Sequence, residues 1–175
     1  MSRRIIVAGS LVFVLFGCTR SEPVEPTSSA GSTSSEADAG SAAAKVVSEL
    51  YREHAAGASP FFQTENRAKV DAYFEPVLAE MIWKDAVASQ GEVGALGFDP
   101  LYNAQETDVK NFAIQPPAME PNRASVVVAF DNFGQPERLT FILVPVGGQW
   151  RISDIAYGDG STTLRGILDT AAKSG

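Results

Sequence analysis

The sequence predicts an α+β domain, in which N-terminal helices pack on a curved antiparallel sheet of about four strands and a C-terminal helix follows. Two observations lead to this prediction. Apolar residues recur every three or four positions between residues 43 and 82, which is the helical period. Three later segments are runs of β-branched and aromatic residues, which favour strands. A sequence in which helices precede strands is typical of an α+β domain with its helices on one face of the sheet.

The first half of the domain is predicted to be helical. Over residues 43–56 the helical period places four side chains on one face: Val47, Leu50, Tyr51 and His54. The period continues from residue 70 to residue 82, but Pro76 lies inside it, and a proline in a helix interior costs about 3 kcal/mol. We therefore expect a short helix that ends near Tyr73 and a second helix with Pro76 in its first turn.

The second half is predicted to form the sheet. The strand-forming segments are residues 108–115, 125–130, 139–144 and 149–155. Gly147 and Gly148 separate the last two segments and predict a two-residue hairpin turn. The C-terminal helix is expected to begin after a Ser or Thr cap near Ser161, and its apolar face would be formed by Leu164, Ile167, Leu168 and Ala171.

The N-terminus has the pattern of a bacterial lipoprotein signal. Two arginines precede a run of twelve mostly apolar residues, Ile5 to Phe16, which is too short to span a bilayer. The run ends in LFGC at residues 15–18, which resembles a lipobox with Phe16 in place of a small residue. Cys18 is the only cysteine of the chain. We expect residues 1–17 to be a cleaved signal peptide and Cys18 to carry acyl chains such as palmitate.

Two other interpretations of this N-terminus remain open. The first is a plain secretory signal with a stray cysteine. The second is a twin-arginine signal, suggested by Arg3 and Arg4. Under the lipoprotein interpretation, Thr19 after the modified cysteine implies sorting to the periplasmic face of the outer membrane, because an aspartate there would favour retention in the inner membrane.

A tether and one folded domain are expected after the signal. Residues 18–41 comprise the lipidated cysteine and a stretch rich in Ser, Pro and Glu, which buries too little apolar surface to fold and is predicted to be disordered. Residues 42–173 are predicted to be the cone-like α+β domain. Removal of Arg3 and Arg4 leaves 12 basic and 21 acidic residues, a net charge of −9. Such a charge excludes nucleic acid as a partner.

Two segments carry a resemblance to a known family. Residues 91–106 (GEVGALGFDPLYNAQE) and residues 149–157 (QWRISDIAY) with 160–165 (GSTTLR) resemble YbjP-like lipoproteins and related envelope proteins with a domain of unknown function. The resemblance implies a cone-shaped, nuclear transport factor 2-like fold. It implies no activity, and therefore no catalytic residue. The chain departs from the pattern at Gly97 and Glu106, where these proteins more often have Asp.

Catalytic motifs are not found, and we predict that the chain is not an enzyme and uses no cofactor. His54 is the only histidine, the sequence lacks a Gly-x-Ser-x-Gly elbow, and no His or Cys residues have zinc-site spacing. We expect a neutral, hydrogen-bonded His54 packed against the sheet. The alternative is that His54 lies beside a carboxylate such as Asp71 or Glu75 and acts as a base.

A loop ahead of the sheet is the first candidate site, and its residues are Phe98, Asp99, Pro100, Tyr102, Asn103 and Gln105. Oxygen donors there make a calcium site conceivable: Asp99, Asn103, Gln105, Glu106 and Asp108. The spacing does not match an EF-hand, so we expect no bound metal. The favoured interpretation is a structural connector in which Asp99 accepts backbone hydrogen bonds while Phe98, Leu101 and Tyr102 pack inward.

A cluster on the sheet is the second candidate site, and its residues are Trp150, Arg151, Asp154 and Tyr157. It could face a ligand. The favoured interpretation is that Trp150 and Ile152 point into the core while Arg151 and Asp154 form a surface pair.

Three functions remain, and a non-catalytic interaction or scaffold module at the cell envelope is preferred. Its partners would be membrane lipid, through acylated Cys18, and an envelope protein. The second function is binding of a small ligand in a cone mouth lined by Tyr73, Phe74, Tyr102 and Phe130. The third is inhibition of a periplasmic toxin or hydrolase, since an acidic protein suits a basic partner.

Overall fold

The computed structural model describes residues 30–92 and 94–174. The predicted signal peptide and Cys18 therefore lie outside the described residues. The described chain forms the following elements in order: α1 (Ala30–Ala55), a short 3-10 helix (Pro60–Phe62), α2 (Arg67–Asp71), α3 (Pro76–Ala88), β1 (Val109–Ile114), β2 (Ala118–Glu120), β3 (Arg123–Asn132), β4 (Gln135–Val146), β5 (Gln149–Tyr157), β6 (Thr162–Thr163) and α4 (Leu164–Ser174). None of the described helices has a stretch long and apolar enough to cross a membrane.

The strands form one antiparallel sheet in the order β1-β3-β4-β5-β6, and β2 pairs with β3 beyond the end of β1. The predicted α+β class is thus confirmed, with helices before the sheet and a helix after it. The four predicted strands correspond to β1, β3, β4 and β5. The short strands β2 and β6 are additional, because two or three residues are too few to show a period in the sequence.

The first helix is longer than expected. It begins at Ala30 rather than at residue 43, so residues 30–41, which we assigned to the disordered tether, are helical. This segment lacks large apolar residues, and its contact with the sheet uses small ones. Gly40 lies against β2, where an added Cβ would be 3.7 Å from the Met119 sulfur. A close approach of this kind leaves no apolar stripe in the sequence.

The break at Pro76 occurs as predicted. Helix α2 ends at Asp71, and α3 starts with Pro76 in its first turn. Between the helices, residues 73–75 run parallel to β5: the amide of Ile152 donates to the Tyr73 carbonyl at 2.8 Å, and the amide of Glu75 donates to the Ile152 carbonyl at 2.9 Å. This contact covers the part of the β5 edge that β6 does not reach.

The hairpin turn at Gly147 and Gly148 is also confirmed. Strand β4 ends at Val146 and β5 begins at Gln149, so that the loop is two residues long. Both glycines have left-handed backbones, with φ of 57° and 78°. Turns of this type match the right-handed twist of paired strands and need positive φ at both positions.

One core joins the helices to the sheet. Alternate residues of β3, from Ala124 to Phe130, are buried, and β4 contributes Phe141 and Leu143. Helices α1 and α3 close this face with Leu50 and Leu78, which are fully buried. Helix α4 adds the buried residues Leu164 and Leu168, as the apolar spacing of its sequence predicted. Its cap is Thr163, whose hydroxyl accepts the amide hydrogen of Gly166 at 3.1 Å.

Candidate functional site

Residues 97–105, which we call the Asp99 loop, connect the helices to the sheet and are fixed from three sides. Leu101 is fully buried. The Tyr51 hydroxyl of α1 donates to the Leu101 carbonyl at 2.8 Å, and the Tyr157 hydroxyl of β5 donates to the Pro100 carbonyl at 3.2 Å. Burial raises the pKa of both phenols well above the ordinary value, so both remain donors. The third attachment is Asp99 itself.

Asp99 is held by His54 of α1 and by its own loop. Its Oδ2 lies 2.7 Å from His54 Nε2, and its Oδ1 accepts the amide hydrogen of Leu101 at 2.9 Å. His54 Nδ1 lies 2.9 Å from the Ser59 hydroxyl. Because a carboxylate can only accept, the proton of a neutral imidazole resides on Nε2, and Nδ1 accepts the hydroxyl hydrogen of Ser59.

His54 is hydrogen-bonded as expected, and a carboxylate lies beside it as in the alternative, but the residues around it differ from those expected. The aromatic rings beside it are Tyr102 of the Asp99 loop and Phe62 of the 3-10 helix. The nearby carboxylate is Asp99, not Asp71 or Glu75. Asp71 pairs with Arg67 at 2.9 Å, and Glu75 caps α3 and pairs with Arg165. The reason is the 3-10 helix after α1, which the sequence analysis did not find and which turns the chain back over His54.

A Ser–His–Asp chain of hydrogen bonds therefore exists, but its serine is enclosed. Ser59 is 6 % exposed, and its hydroxyl oxygen also caps the 3-10 helix by accepting the Phe61 amide hydrogen at 3.4 Å. A cavity of about 380 Å³ beside the cluster is lined by Phe62, Gly97, Phe98, Asp99 and Gln105. Neither Ser59 nor His54 lines this cavity. A serine nucleophile has to face its substrate, whereas this arrangement joins α1, the 3-10 helix and the loop.

The other oxygen donors considered for a calcium site, in the loop and just after it, have protein partners or face solvent. The Gln105 amide donates to the Gly97 carbonyl at 3.0 Å, and Asp108 pairs with Lys110 at 2.9 Å. Asn103 is exposed and has a left-handed backbone with φ of 52°. In the part of the chain that the structure describes, no three His, Cys, Asp or Glu side chains are grouped to hold a metal ion. Phe98 and Tyr102 pack against the core, as expected for a connector.

The sheet cluster is not one site. Tyr157 is buried, and Trp150 packs against the core together with fully buried Ile152. The expected pair of Arg151 and Asp154 is wrong. A bulge opposite Ile142 and Leu143 inserts Ser153 as an extra residue, so Ile152 and Ile155 are both buried and Arg151 and Asp154 lie on the same, outer face of β5. The two nevertheless do not pair, because Arg151 donates to the Asp71 carbonyl at 3.0 Å. Asp154 instead accepts the Arg165 amide hydrogen at 3.0 Å in the first turn of α4.

The aromatic cone mouth is not formed either. Phe74 and Phe130 are buried in the core and are unavailable to a ligand. Phe74 packs on Phe61 with the ring centroids 5.1 Å apart, and Tyr102 packs edge-on against Phe130 at 5.7 Å. Of the four expected residues, Phe74, Tyr102 and Phe130 take part in these two contacts and Tyr73 lies apart from them, so the four do not line a common cavity.

An exposed aromatic residue that the sequence analysis missed lies at the opposite end of β4 from the glycine turn. Phe133 and Gly134 form the two-residue turn between β3 and β4, with φ of 49° and 75°. The Phe133 side chain is 58 % exposed. Positive φ at a bulky residue is a true outlier, because Asn and Gly are the residues that this turn prefers. The sequence does indicate this exposed position, because the apolar residue Phe133 directly precedes Gly134, a glycine typical of turns.

Comparisons with known proteins do not assign this chain to a family. No family model matches the chain, and no curated protein matches it. Among solved structures, it is similar to a chain of the type VI native effector-immunity complex Tae3-Tai3 from Ralstonia pickettii, with 19 % identity, a TM-score of 0.48, and coverage of 66 % of this chain and 90 % of that chain. It is also similar to a phospholipid-binding protein from Ralstonia solanacearum, with 16 % identity, a TM-score of 0.44, and coverage of 75 % and 86 %. At these values the likeness assigns no function.

Proposed function

We propose that this chain is a non-catalytic protein-binding module at the cell envelope, and that the turn between β3 and β4 is its contact point. The observation that carries the proposal is Phe133, an aromatic side chain that is 58 % exposed on a left-handed backbone. Left-handed backbone costs an ordinary residue about 1 to 2 kcal/mol. A large apolar side chain kept at such a position, and in solvent, has no benefit for folding. Strained backbone of this kind concentrates at functional sites.

The hairpin below Phe133 is rigid, which suits a contact point. Strands β3 and β4 pair without a break from Ala124 and Leu143 to Asn132 and Gln135. The Phe133 amide donates to the Asp108 carbonyl at 3.2 Å, and the Asp108 amide donates to the Asn132 side chain at 2.8 Å. A backbone fixed in this way loses little entropy when a partner binds. Aromatic residues are also among the commonest energetic centres of protein interfaces.

The charge of the chain indicates the kind of partner. The net charge is −7, which favours association with a basic surface and accelerates it. Inhibition of a basic toxin or hydrolase of the periplasm would be a particular case of this binding. Location at the periplasmic face of the outer membrane is part of the proposal and depends on acylation of Cys18.

The proposal is tested by Phe133→Asn, because asparagine suits the left-handed turn position. The free energy of unfolding should stay the same or rise by about 1 kcal/mol. Chemical crosslinking in intact cells, followed by purification and mass spectrometry, should recover a partner with the wild-type chain and lose it with the variant. Val77→Asn is the matched control, since Val77 is 56 % exposed on α3. Equal recovery with Phe133→Asn would contradict the proposal.

A further inference from the structure

A groove at the other end of the sheet is independent of the Phe133 turn. It lies between the middle of α1, residues 39–49, and the β4–β5 hairpin and has a volume of about 620 Å³. We call it the α1–hairpin groove. Small-molecule sites in proteins have volumes of roughly 300 to 1,000 Å³, so this groove can hold a small ligand.

The base of the α1–hairpin groove is apolar, and the side chains along one side of it are small. Val46, Tyr73 and Trp150 line it, and each is partly buried against the hydrophobic core. Ala39 and Ala42 of α1 line one side, and the small size of their side chains leaves the groove open. An aliphatic chain placed on this base would lose contact with water, and each buried methylene contributes about 0.8 kcal/mol in principle.

Arg151 supplies a fixed positive charge in the groove. Its Nε donates to the Asp71 carbonyl at 3.0 Å, one terminal nitrogen donates to the Trp150 carbonyl at 3.0 Å, and the other donates to the Gln149 amide oxygen at 2.5 Å. All three acceptors are neutral. None of the ion pairs among residues 30–92 and 94–174 includes Arg151. A guanidinium has five N–H donors, so two remain for a ligand.

The other charges of the groove leave it slightly positive. Lys45 lies 3.8 Å from Glu49, and its side chain is 71 % exposed. With Arg151, the lining holds two cations and one acid, a net charge of +1 in a chain whose net charge is −7. The groove is therefore complementary to a ligand with one negative charge.

We propose that the α1–hairpin groove binds a small amphiphile that has one carboxylate head and an aliphatic body. Arg151 receives the carboxylate through its two remaining N–H donors, since guanidinium and carboxylate pair well in a bidentate manner. The aliphatic body lies on Val46, Tyr73 and Trp150. A phosphate monoester, with a charge close to −2 at neutral pH, matches the net charge of the lining less well.

Calorimetric titration of the purified chain tests this proposal. The probe is octanoate, and the comparison compounds are octyl phosphate, octanol and acetate, each of which alters one part of the ligand. We expect octanoate to bind in a 1:1 ratio and to bind more tightly than the other three. Arg151→Gln should weaken octanoate binding about tenfold or more, because it removes the charged hydrogen bonds. Arg138→Gln, an exposed arginine of β4 outside the groove, should bind as the wild type does.

A second variant separates loss of the ligand site from loss of folding. Ala42 is exposed on α1, and Ala42→Phe fills the groove without entering the core. It should abolish octanoate binding while the melting temperature remains unchanged. The proposal is overturned if Ala42→Phe or Arg151→Gln binds octanoate as tightly as the wild type. It is also overturned if octanol or octyl phosphate binds as tightly as octanoate, or if octanoate does not bind at all.

Discussion

At the scale of single residues, His54 has a structural role, because its side chain links α1 to the 3-10 helix and to the Asp99 loop. His54 of α1 bonds to Ser59, which caps the 3-10 helix, at 2.9 Å and to Asp99 of the loop at 2.7 Å. The sequence analysis correctly described Asp99 as an acceptor of backbone hydrogen bonds. It could not find the bond to His54, because the two residues are 45 positions apart and local spacing carries no information about that contact.

Asp99→Ala should lower the free energy of unfolding by about 1 to 3 kcal/mol, since it leaves the His54 imidazole and the Leu101 amide without their acceptor. Urea unfolding measures the change. Asp108→Ala is the control, because Asp108 is exposed and its side chain pairs only with exposed Lys110. A fluorophosphonate probe should leave Ser59 unlabelled in the folded protein. Labelling that requires His54 and Asp99 would contradict the structural role and indicate an active serine.

At the scale of helices and strands, the features set by local backbone preferences were predicted correctly from the sequence. The features that depend on long-range packing were not. Pro76 fixes its own φ, and the Gly147–Gly148 pair permits the positive φ that a hairpin turn needs, so the α3 start and the last hairpin turn could be placed from the sequence. The bulge at Ser153 depends on how β5 pairs with β4, and the early part of α1 contacts β2 at Gly40, which has no side chain. Neither feature leaves a periodic apolar pattern.

Glu75 gives the clearest pH dependence at this scale. Burial alone would raise the pKa of this carboxyl, but hydrogen bonds from the Val77 and Leu78 amides and from Arg165 outweigh it, so the pKa lies below its ordinary value. A lowered pKa in the folded state means that Glu75 stabilises the fold above the unfolded pKa of about 4.3. The contribution is lost as the pH falls through the folded pKa.

Glu75→Gln should therefore lower the melting temperature at pH 7 and have a smaller effect near pH 3. Thermal unfolding by circular dichroism, followed from pH 7 to pH 3, tests this expectation. Glu65→Gln provides the control, as Glu65 is an exposed residue outside the helix caps. A difference between Glu75→Gln and the wild type that stays constant across this range would show that the carboxylate charge of Glu75 is not what stabilises α3.

At the scale of the whole molecule, the two proposed sites lie at opposite ends. The middle of α1, residues 39–49, borders the groove beside the β4–β5 hairpin. Further along α1, Tyr51 packs on Phe112 of β1, whose ring in turn stacks on Phe130 near the β3–β4 turn. An anchor before Ala30 would thus connect to the groove end of the domain. Phe133 would then be directed away from the attachment point, toward a partner.

Acylation of Cys18 is required by this arrangement. Cells grown with an alkyne analogue of palmitate should label the wild-type chain, because the LFGC segment resembles a lipobox. Cys18→Ser should abolish the label and release the chain from the membrane fraction, since the acyl chains provide its affinity for the bilayer. Equal labelling of the variant would contradict the anchor.

The central claim is that Phe133 contacts a protein partner, and site-specific photocrosslinking in intact cells tests it most directly. A benzophenone amino acid in place of Phe133 keeps an aromatic group at the turn, and the same replacement of exposed Val77 is the control. The account predicts a discrete adduct of higher mass after irradiation of the Phe133 variant, and no such adduct from the Val77 variant. The absence of an adduct at position 133, or identical adducts from both positions, would contradict it.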